Sequence, residues 1–267
     1  MHQHKIQPIA CRLPGIEAVA ADSSFSFGRH SHDCFGIGLM DRGAQKSHSG
    51  RGQVESAAGN IITVNPGEVH DGAPLGESRA WRMLYFQPPL MAEYFGHLSD
   101  TANSLTEFIR PVFHDPHLAG HFNRLFYTLT ACVDRHFKLA VDEALLALSG
   151  AVTQPTRREP GLANDVIHLT RERMDDDPAS PITLAEMATA AGLSPFQLLR
   201  GFSRRMGITP HGYLMQRRLG LARQRIVQGC SLAEAAADAG FADQSHMTRL
   251  FVRSFGYTPG LFARSLN

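Results

Sequence analysis

From Leu118 the apolar residues fall at spacings of three and four: Leu118, Phe122, Leu125, Phe126, Leu129, Val133 and Phe137. That period gathers them into one broad stripe on a helix, and a second helical run covers residues 141–148. Upstream, from about residue 16 to residue 86, the pattern changes. Short apolar stretches at 35–40, 61–65 and 81–86 are punctuated by Gly43, Gly50, Gly52, Gly59, Pro66-Gly67 and Gly72. In the last of them Trp81, Met83 and Tyr85 alternate with Arg82 and Leu84. Many short strands with close turn residues predict a small β-barrel. The stretch 153–161 has two prolines, no apolar period and high polarity, which predicts a linker. Everything beyond it is helical in pattern.

The last third repeats itself. Leu184, Ala188, Ala191 and Gly192 recur 48 residues later as Leu232, Ala236, Ala239 and Gly240. Phe202, Gly207, Thr209 and Pro210 recur 49 residues later as Phe251, Gly256, Thr258 and Pro259. One extra residue in the second turn accounts for the shift, since turns absorb length and packed helices do not. In the first copy Thr183 caps a helix burying Leu184, Met187, Ala188 and Ala191, and Gly192 supplies a tight turn. Ser194 then caps a second helix, with Pro195 at its first position. In the second copy Ser231 and Asp243 are the caps and Gly240 the turn. Each copy is laid out as a helix-turn-helix. Phe196, Gln197, Arg200, Ser203 and Arg204 face outward in the first, and Gln244, Ser245, Thr248, Arg249 and Val252 in the second. Arg200 and Arg249 are equivalent under the 49-residue offset. An arginine there suits the O6/N7 edge of guanine, and Gln244 suits adenine. Taken singly, each of these side chains is equally an ordinary solvated residue.

Charge adds to this picture. Of 267 residues, 43% are hydrophobic and 19% charged, as in a globular protein with room for two domains. Residues 1–161 hold 14 Lys or Arg against 16 Asp or Glu, a net of −2; residues 162–267 hold 12 against 9, a net of +3. Between Arg200 and Arg253 nine arginines face three acids. A basic excess that coincides with the repeat points to a polyanion. No apolar run approaches the length of a membrane span, and the first residues lack the apolar core of a signal peptide. Cys11, Cys34, Cys132 and Cys230 are scattered, so neither a disulfide framework nor a zinc knuckle is expected, and a reducing cytoplasm is.

The run from Gly240 through Phe241, Ala242, Asp243, Gln244, Ser245, His246, Met247, Thr248, Arg249 and Leu250 to Phe251, continuing to Phe255-Gly256-Tyr257-Thr258-Pro259, closely resembles the signature of AraC-type transcriptional regulators. Tyr213-Leu214, Arg218-Leu219, Ala222-Arg223 and Ile226 resemble that family's connecting helix. The match covers about residues 164–265. It implies double-stranded DNA as partner, with each second helix in a major groove and successive grooves about 34–36 Å apart. On that basis Phe196, Gln197, Arg200, Gln244, Ser245, His246 and Arg249 are the expected base readers. Arg204 and Arg253 are expected at phosphates, which set register without reading sequence.

His30-Ser31-His32 and Pro66-Gly67-Glu68-Val69-His70 resemble the two motifs of a cupin barrel, which forms the amino-terminal half of many AraC-type regulators and binds a small effector. The expected architecture is therefore multidomain α and β. A cupin-like barrel (1–100) leads to a helical extension (101–150) that either caps the barrel or forms a dimer seam, the seam being slightly favoured, then to a linker (151–161) and an all-α double helix-turn-helix domain (162–267). His30, His32, His70 and Trp81 are the candidate effector-binding residues, with Met40 and Phe35 as apolar walls. The glutamate that completes the cupin metal set is missing after His32. Glu68 is a stand-in by sequence alone, so no metal or cofactor is expected and the pocket is read as a His-lined effector site. No catalytic constellation stands out. The alternative is a cupin-type metal-dependent enzyme with a DNA-binding tail. A homodimer and RNA polymerase are the further candidate partners, and no membrane is.

Overall fold

The computed structural model describes residues 4–96, 105–131, 137–156 and 166–266. The chain divides into two compact units, one on residues 1–28, 32–158 and 265–267, the other on residues 29–31 and 159–264.

The amino-terminal part of the chain runs β1 (Lys5–Ile9), β2 (Ile16–Ser23), β3 (Phe27–His30), β4 (Phe35–Ser49), β5 (Gly52–Ala57), β6 (Ile61–Val64) and β7 (His70–Phe86). After these come α1 (Pro88–Gly96), β8 (Leu105–Phe108), β9 (Val112–Phe113), α2 (Pro116–Thr130), α3 (Phe137–Val152) and β10 (Thr153–Thr156). Eight strands form one sheet in the order β1-β2-β7-β4-β6-β9, with β3 added on β7 and β5 on β4. The pairings around the long strands are antiparallel. A closed barrel is not formed among the described residues, because β1 and β9 are edges that do not pair with each other. The long strands bend instead. The β4–β7 register shifts between Met40 and Arg42 and again between Arg42 and Ala44. Gly43 lies there at φ +71°, so close to β7 that a Cβ would stand 2.5 Å from the Ser78 carbonyl oxygen. Bulges of this kind turn a strand without requiring closure.

Alternation along the central strands gives the sheet two covered faces. Ile37 and Leu39 of β4 and Leu84 and Phe86 of β7 are buried in one core with Leu118, Phe122, Leu125, Phe126 and Leu129 of α2 and Val141, Leu145 and Leu148 of α3. Helix α2 starts where Asp115 accepts from the N–H groups of His117 and Leu118 and Pro116 opens the first turn. Its apolar stripe therefore meets the sheet of its own unit, each large side chain contributing about 1.5–3 kcal/mol by burial. Of the two readings of that stripe, capping the sheet describes these residues and the dimer seam does not; Val133 and the side chain of Phe137 fall outside the described residues. Phe35 likewise belongs to this helix-side core, edge-on to Phe108. Two boundaries also shift. Residues 153–156, expected in the linker, pair with β8 as a strand, and the extension from 101 contributes β8 and β9 before its helices. Residues 151–152, also expected in the linker, end α3, and residues 157–161 lie outside the described residues.

The second unit is helical: α4 (Val166–Asp176), α5 (Leu184–Ala190), α6 (Pro195–Met206), α7 (Pro210–Val227), α8 (Leu232–Asp238), α9 (Gln244–Phe255) and α10 (Pro259–Ser265). The long α7 buries Tyr213, Leu214, Met215, Leu219, Ala222 and Ile226. It contacts α4, α6, α8 and α9, so both helix-turn-helix pairs are built onto one rod.

Candidate functional site

Both pairs are assembled by the same local chemistry. Thr183 accepts from Glu186 N–H, and the Glu186 carboxylate accepts in return from Thr183 N–H. Ser194 with Gln197 and Ser231 with Glu234 repeat this reciprocal cap. Asp243 caps α9 by accepting from His246 N–H at 2.7 Å. Those hydrogen bonds hold the carboxyls of Glu186 and Glu234 below their ordinary range. Gly207 and Gly256 end the second helices at φ +72° and +78°, in the left-handed region that a side chain disfavours.

Helix α6 buries Leu198 and Phe202, and α9 buries Met247 and Phe251. The side opposite is open. Phe196 is 65% exposed, and Gln197, Arg200 and Arg204 are exposed with it. The Arg200 guanidinium lies 5.5 Å from the Phe196 ring. On α9, Gln244, Ser245, Arg249 and Arg253 are exposed, while His246 is half-buried and edge-on to Phe241 at 5.5 Å. Gln197 has a structural duty as well, since its side-chain oxygen accepts from Ser194 N–H. Apart from the half-buried His246, each expected DNA-reading side chain is exposed on its own second helix.

Three basic or acidic residues that the repeat did not single out hold this unit together. Arg218 donates to the carbonyls of Pro178 (2.8 Å), Ser180 (3.2 Å) and Gly240. It thereby pins the loop before α5 against the turn between α8 and α9. Arg223 lies 4.4 Å from the Phe255 ring and 4.3 Å from that of Phe262, and donates to the Tyr257 hydroxyl. Asp175 accepts from Tyr213 at 2.6 Å and pairs with Arg217 at 2.9 Å. Burial, then the Asp175 contact, pushes the Tyr213 phenol up, so it stays a donor. The spacing of basic residues in α7 signals an amphipathic helix but not these partners, which come from other elements.

The ligand nitrogens of His30, His32 and His70 all lie within 4.8 Å of one another. His30 ends β3, His70 begins β7, and those two strands pair. His32 lies just beyond β3; its carbonyl accepts from Gly67 N–H at 2.7 Å, and its ring sits 5.2 Å from the rings of both His70 and Tyr85. His70 Nδ1 is 2.9 Å from the Glu68 carbonyl oxygen, which can only accept. Nδ1 therefore carries the proton in the neutral ring, and burial pushes the His70 pKa down, favouring that neutral form.

Glu68 does not stand in for the missing cupin glutamate. Its carboxylate is gripped by Arg51 through two contacts of 2.7–2.8 Å and accepts from Asn65 N–H at 3.0 Å. Arg51 reaches on to the carbonyls of Thr63 and Phe108. Glu68 is thus a brace for the 65–70 turn. Trp81 keeps different company: Arg79 lies 4.6 Å over its ring and Phe27 meets it edge-on at 6.2 Å. Arg79 is only 1% exposed and donates to Gln45 and to the carbonyls of Phe25 and Gly72. Burial pulls its pKa down to about 10. Met83 crosses β4 where Gly38 leaves room; a Cβ there would meet its sulfur at 2.0 Å.

Known proteins match both halves. A family model described as an AraC-like ligand binding domain matches residues 13–149, and a helix-turn-helix domain model matches residues 187–265. The chain is 25% identical over 227 residues to the uncharacterized HTH-type transcriptional regulator YbfI of Bacillus subtilis, covering 83% of this chain and 81% of that protein. It is 26% identical over 212 residues to the arabinose operon regulatory protein of Escherichia coli, covering 76% and 71%. Among solved structures, apo ToxT from Vibrio cholerae superposes with a TM-score of 0.61 at 10% identity, over 96% of this chain and 99% of that one. ToxT bound to unsaturated fatty acid gives 0.59 at 11%, over 100% and 98%. At such identities the likeness is one of fold. The ligand-binding match spans half the chain and the helix-turn-helix match follows it, so this chain belongs to the AraC family, as a DNA-binding transcription regulator with an amino-terminal ligand-binding domain.

Proposed function

We propose that the two second helices, α6 and α9, read two stretches of one duplex, and that a small effector in the amino-terminal unit governs that reading. Arg200 and Arg249 are the principal base readers, with Phe196, Gln197, Gln244, Ser245 and His246 beside them and Arg204 and Arg253 at phosphates. The observation that carries this is the equivalence of Arg200 and Arg249. Both are exposed at matching positions of helices capped in the same register. Phe196, open on the surface beside Arg200, suits a thymine methyl. The effector must favour one state of the protein over another to change DNA affinity.

The chain acts in the cytoplasm; no helix among the described residues is long and apolar enough to cross a membrane. A metal-dependent enzyme is the weaker reading: the full-length relatives named above are regulators, and the carboxylate such an enzyme needs beside its histidines is committed to Arg51. Binding of a promoter fragment at several salt concentrations tests the DNA reading. Affinity falls steeply with salt if several phosphates are contacted. Arg204→Ala and Arg253→Ala each reduce that salt slope by about one and leave sequence preference unchanged. A flat salt dependence would defeat the reading.

A further inference from the structure

We propose that Arg218 is a positioning residue that sets the separation of the two reading helices, so that the protein accepts operators of one subsite spacing. This depends on α6 and α9 entering one duplex, as proposed above. Arg218 lies half-buried on α7, the helix that joins the two copies. Its guanidinium donates through Nε to Pro178 at 2.8 Å, through Nη2 to Ser180 at 3.2 Å and through Nη1 to Gly240. Two of those acceptors belong to the loop before the first copy, and the third to the turn of the second. All three are main-chain carbonyls, so backbone position is what the arginine holds.

The same two segments also touch. A Cβ on Gly240 would stand 2.5 Å from the Ala179 carbonyl oxygen and 2.9 Å from its Cα, so they cannot move closer. Contact sets the lower limit of their separation, and Arg218 sets the upper one. Each held segment leads at once into a reading unit. Ser180 N–H donates to Asp177, closing that turn, and Thr183 then caps α5. On the other side Asp243 caps α9 shortly after Gly240, with Phe241 buried between them. Little free chain lies between the clamp and α5 or α9, so the clamp fixes where α9 begins relative to the first copy. Asp175 also ties α4 to α7, through Tyr213 and Arg217, but that tie does not reach the second copy. A planar guanidinium can direct donors to two segments at once, whereas an ammonium is a point donor on a flexible stem. One base pair added between subsites moves the second by about 3.4 Å and about one-tenth of a turn, which a clamp of fixed length cannot follow.

The test starts from a duplex that full-length wild-type protein selects out of a random pool. It is remade with its two subsites one or two base pairs closer or farther apart, and binding is followed by fluorescence anisotropy at constant salt. Wild-type affinity falls about 30-fold or more for one base pair either way, the scale of forfeiting one or two base contacts, whereas Arg218→Lys and Arg218→Met, folded by circular dichroism, fall by about 5-fold or less. Scrambling either subsite alone weakens wild-type binding, as engagement of both helices requires. Sensitivity to a single subsite would defeat the two-groove reading and the clamp with it. With both subsites engaged, two results overturn the clamp alone. One is a flat spacing profile in the wild type, which needs no variant. The other is a loss of affinity in the variants that is equal at every spacing, as an arginine that only stabilises the fold would give.

Discussion

The two helix-turn-helix copies share a sequence pattern, yet the structure holds them in place differently. Gly192 and Gly240 both turn the chain at positive φ, +66° and +75°. Around Gly192 there is open space; a Cβ on Gly240 would stand 2.5 Å from the Ala179 carbonyl oxygen. The second turn is pressed against the loop preceding the first copy and held there by Arg218. The second copy also closes around a ring cluster of Phe251, Phe255, Tyr257 and Phe262 with Arg223 against it. The first copy has the smaller Phe202–Tyr213 contact. A repeated motif thus preserves its caps and outward side chains, while Arg218 and Arg223 of α7 grip the second copy in a way that has no counterpart around Gly192.

That contrast is broken most forcefully at the glycines. Gly240→Ala combines a left-handed backbone penalty with overpacking and costs about 3 kcal/mol or more, whereas Gly192→Ala carries only the backbone penalty, about 1 kcal/mol. Urea unfolding of both variants, followed by helical circular dichroism, measures the gap; equal losses would refute the difference between the turns. Next in size, Arg200→Ala and Arg249→Ala each weaken specific DNA binding by about 1–3 kcal/mol and relax preference at one base position. Competition binding with operator variants checks this. A uniform loss over all sequences reassigns that arginine to a phosphate.

Smaller effects sharpen what the copies share. Ser194→Ala and Asp243→Ala, the equivalent caps of α6 and α9, each cost about 1 kcal/mol by thermal or urea unfolding. The smallest effect is a pH dependence. Glu186 and Glu234 have folded pKa values below the ordinary 4.5, so each contributes stability above that value and loses it as pH falls through the folded one. Melting temperatures from pH 6 to pH 3 fall less in Glu186→Gln/Glu234→Gln than in the wild type. Identical slopes would mean that the reciprocal caps are not held in solution.

The repeat, its register shift and its caps were legible because each is a contact between residues three or four apart. Thr183 with Glu186 and Ser194 with Gln197 are examples. The offsets of 48 and 49 residues reappear between α5 and α8 and between α6 and α9. The histidine motifs were legible too, as short strings, although the convergence of His30 and His32 with His70 depends on β3 pairing with β7. Arg218 was not legible as a clamp, since its acceptors lie 22 to 40 residues away. Nor was Glu68 legible as a brace, because Arg51 comes from a different turn.

The amino-acid sequence alone determined where the helices of the two helix-turn-helix copies begin and end, which turns require glycine, and which side of each second helix carries arginine. Those depend on backbone sterics and on hydrogen bonds closed within one helical turn. Only the tertiary structure decided what the α2 stripe faces, whether the sheet closes, and which charges are enclosed. Periodicity defines a face without defining its partner. The stripe was open to a second subunit until the sheet of the same chain filled that role, and the barrel was open to closure until two register shifts bent β4 and β7 instead.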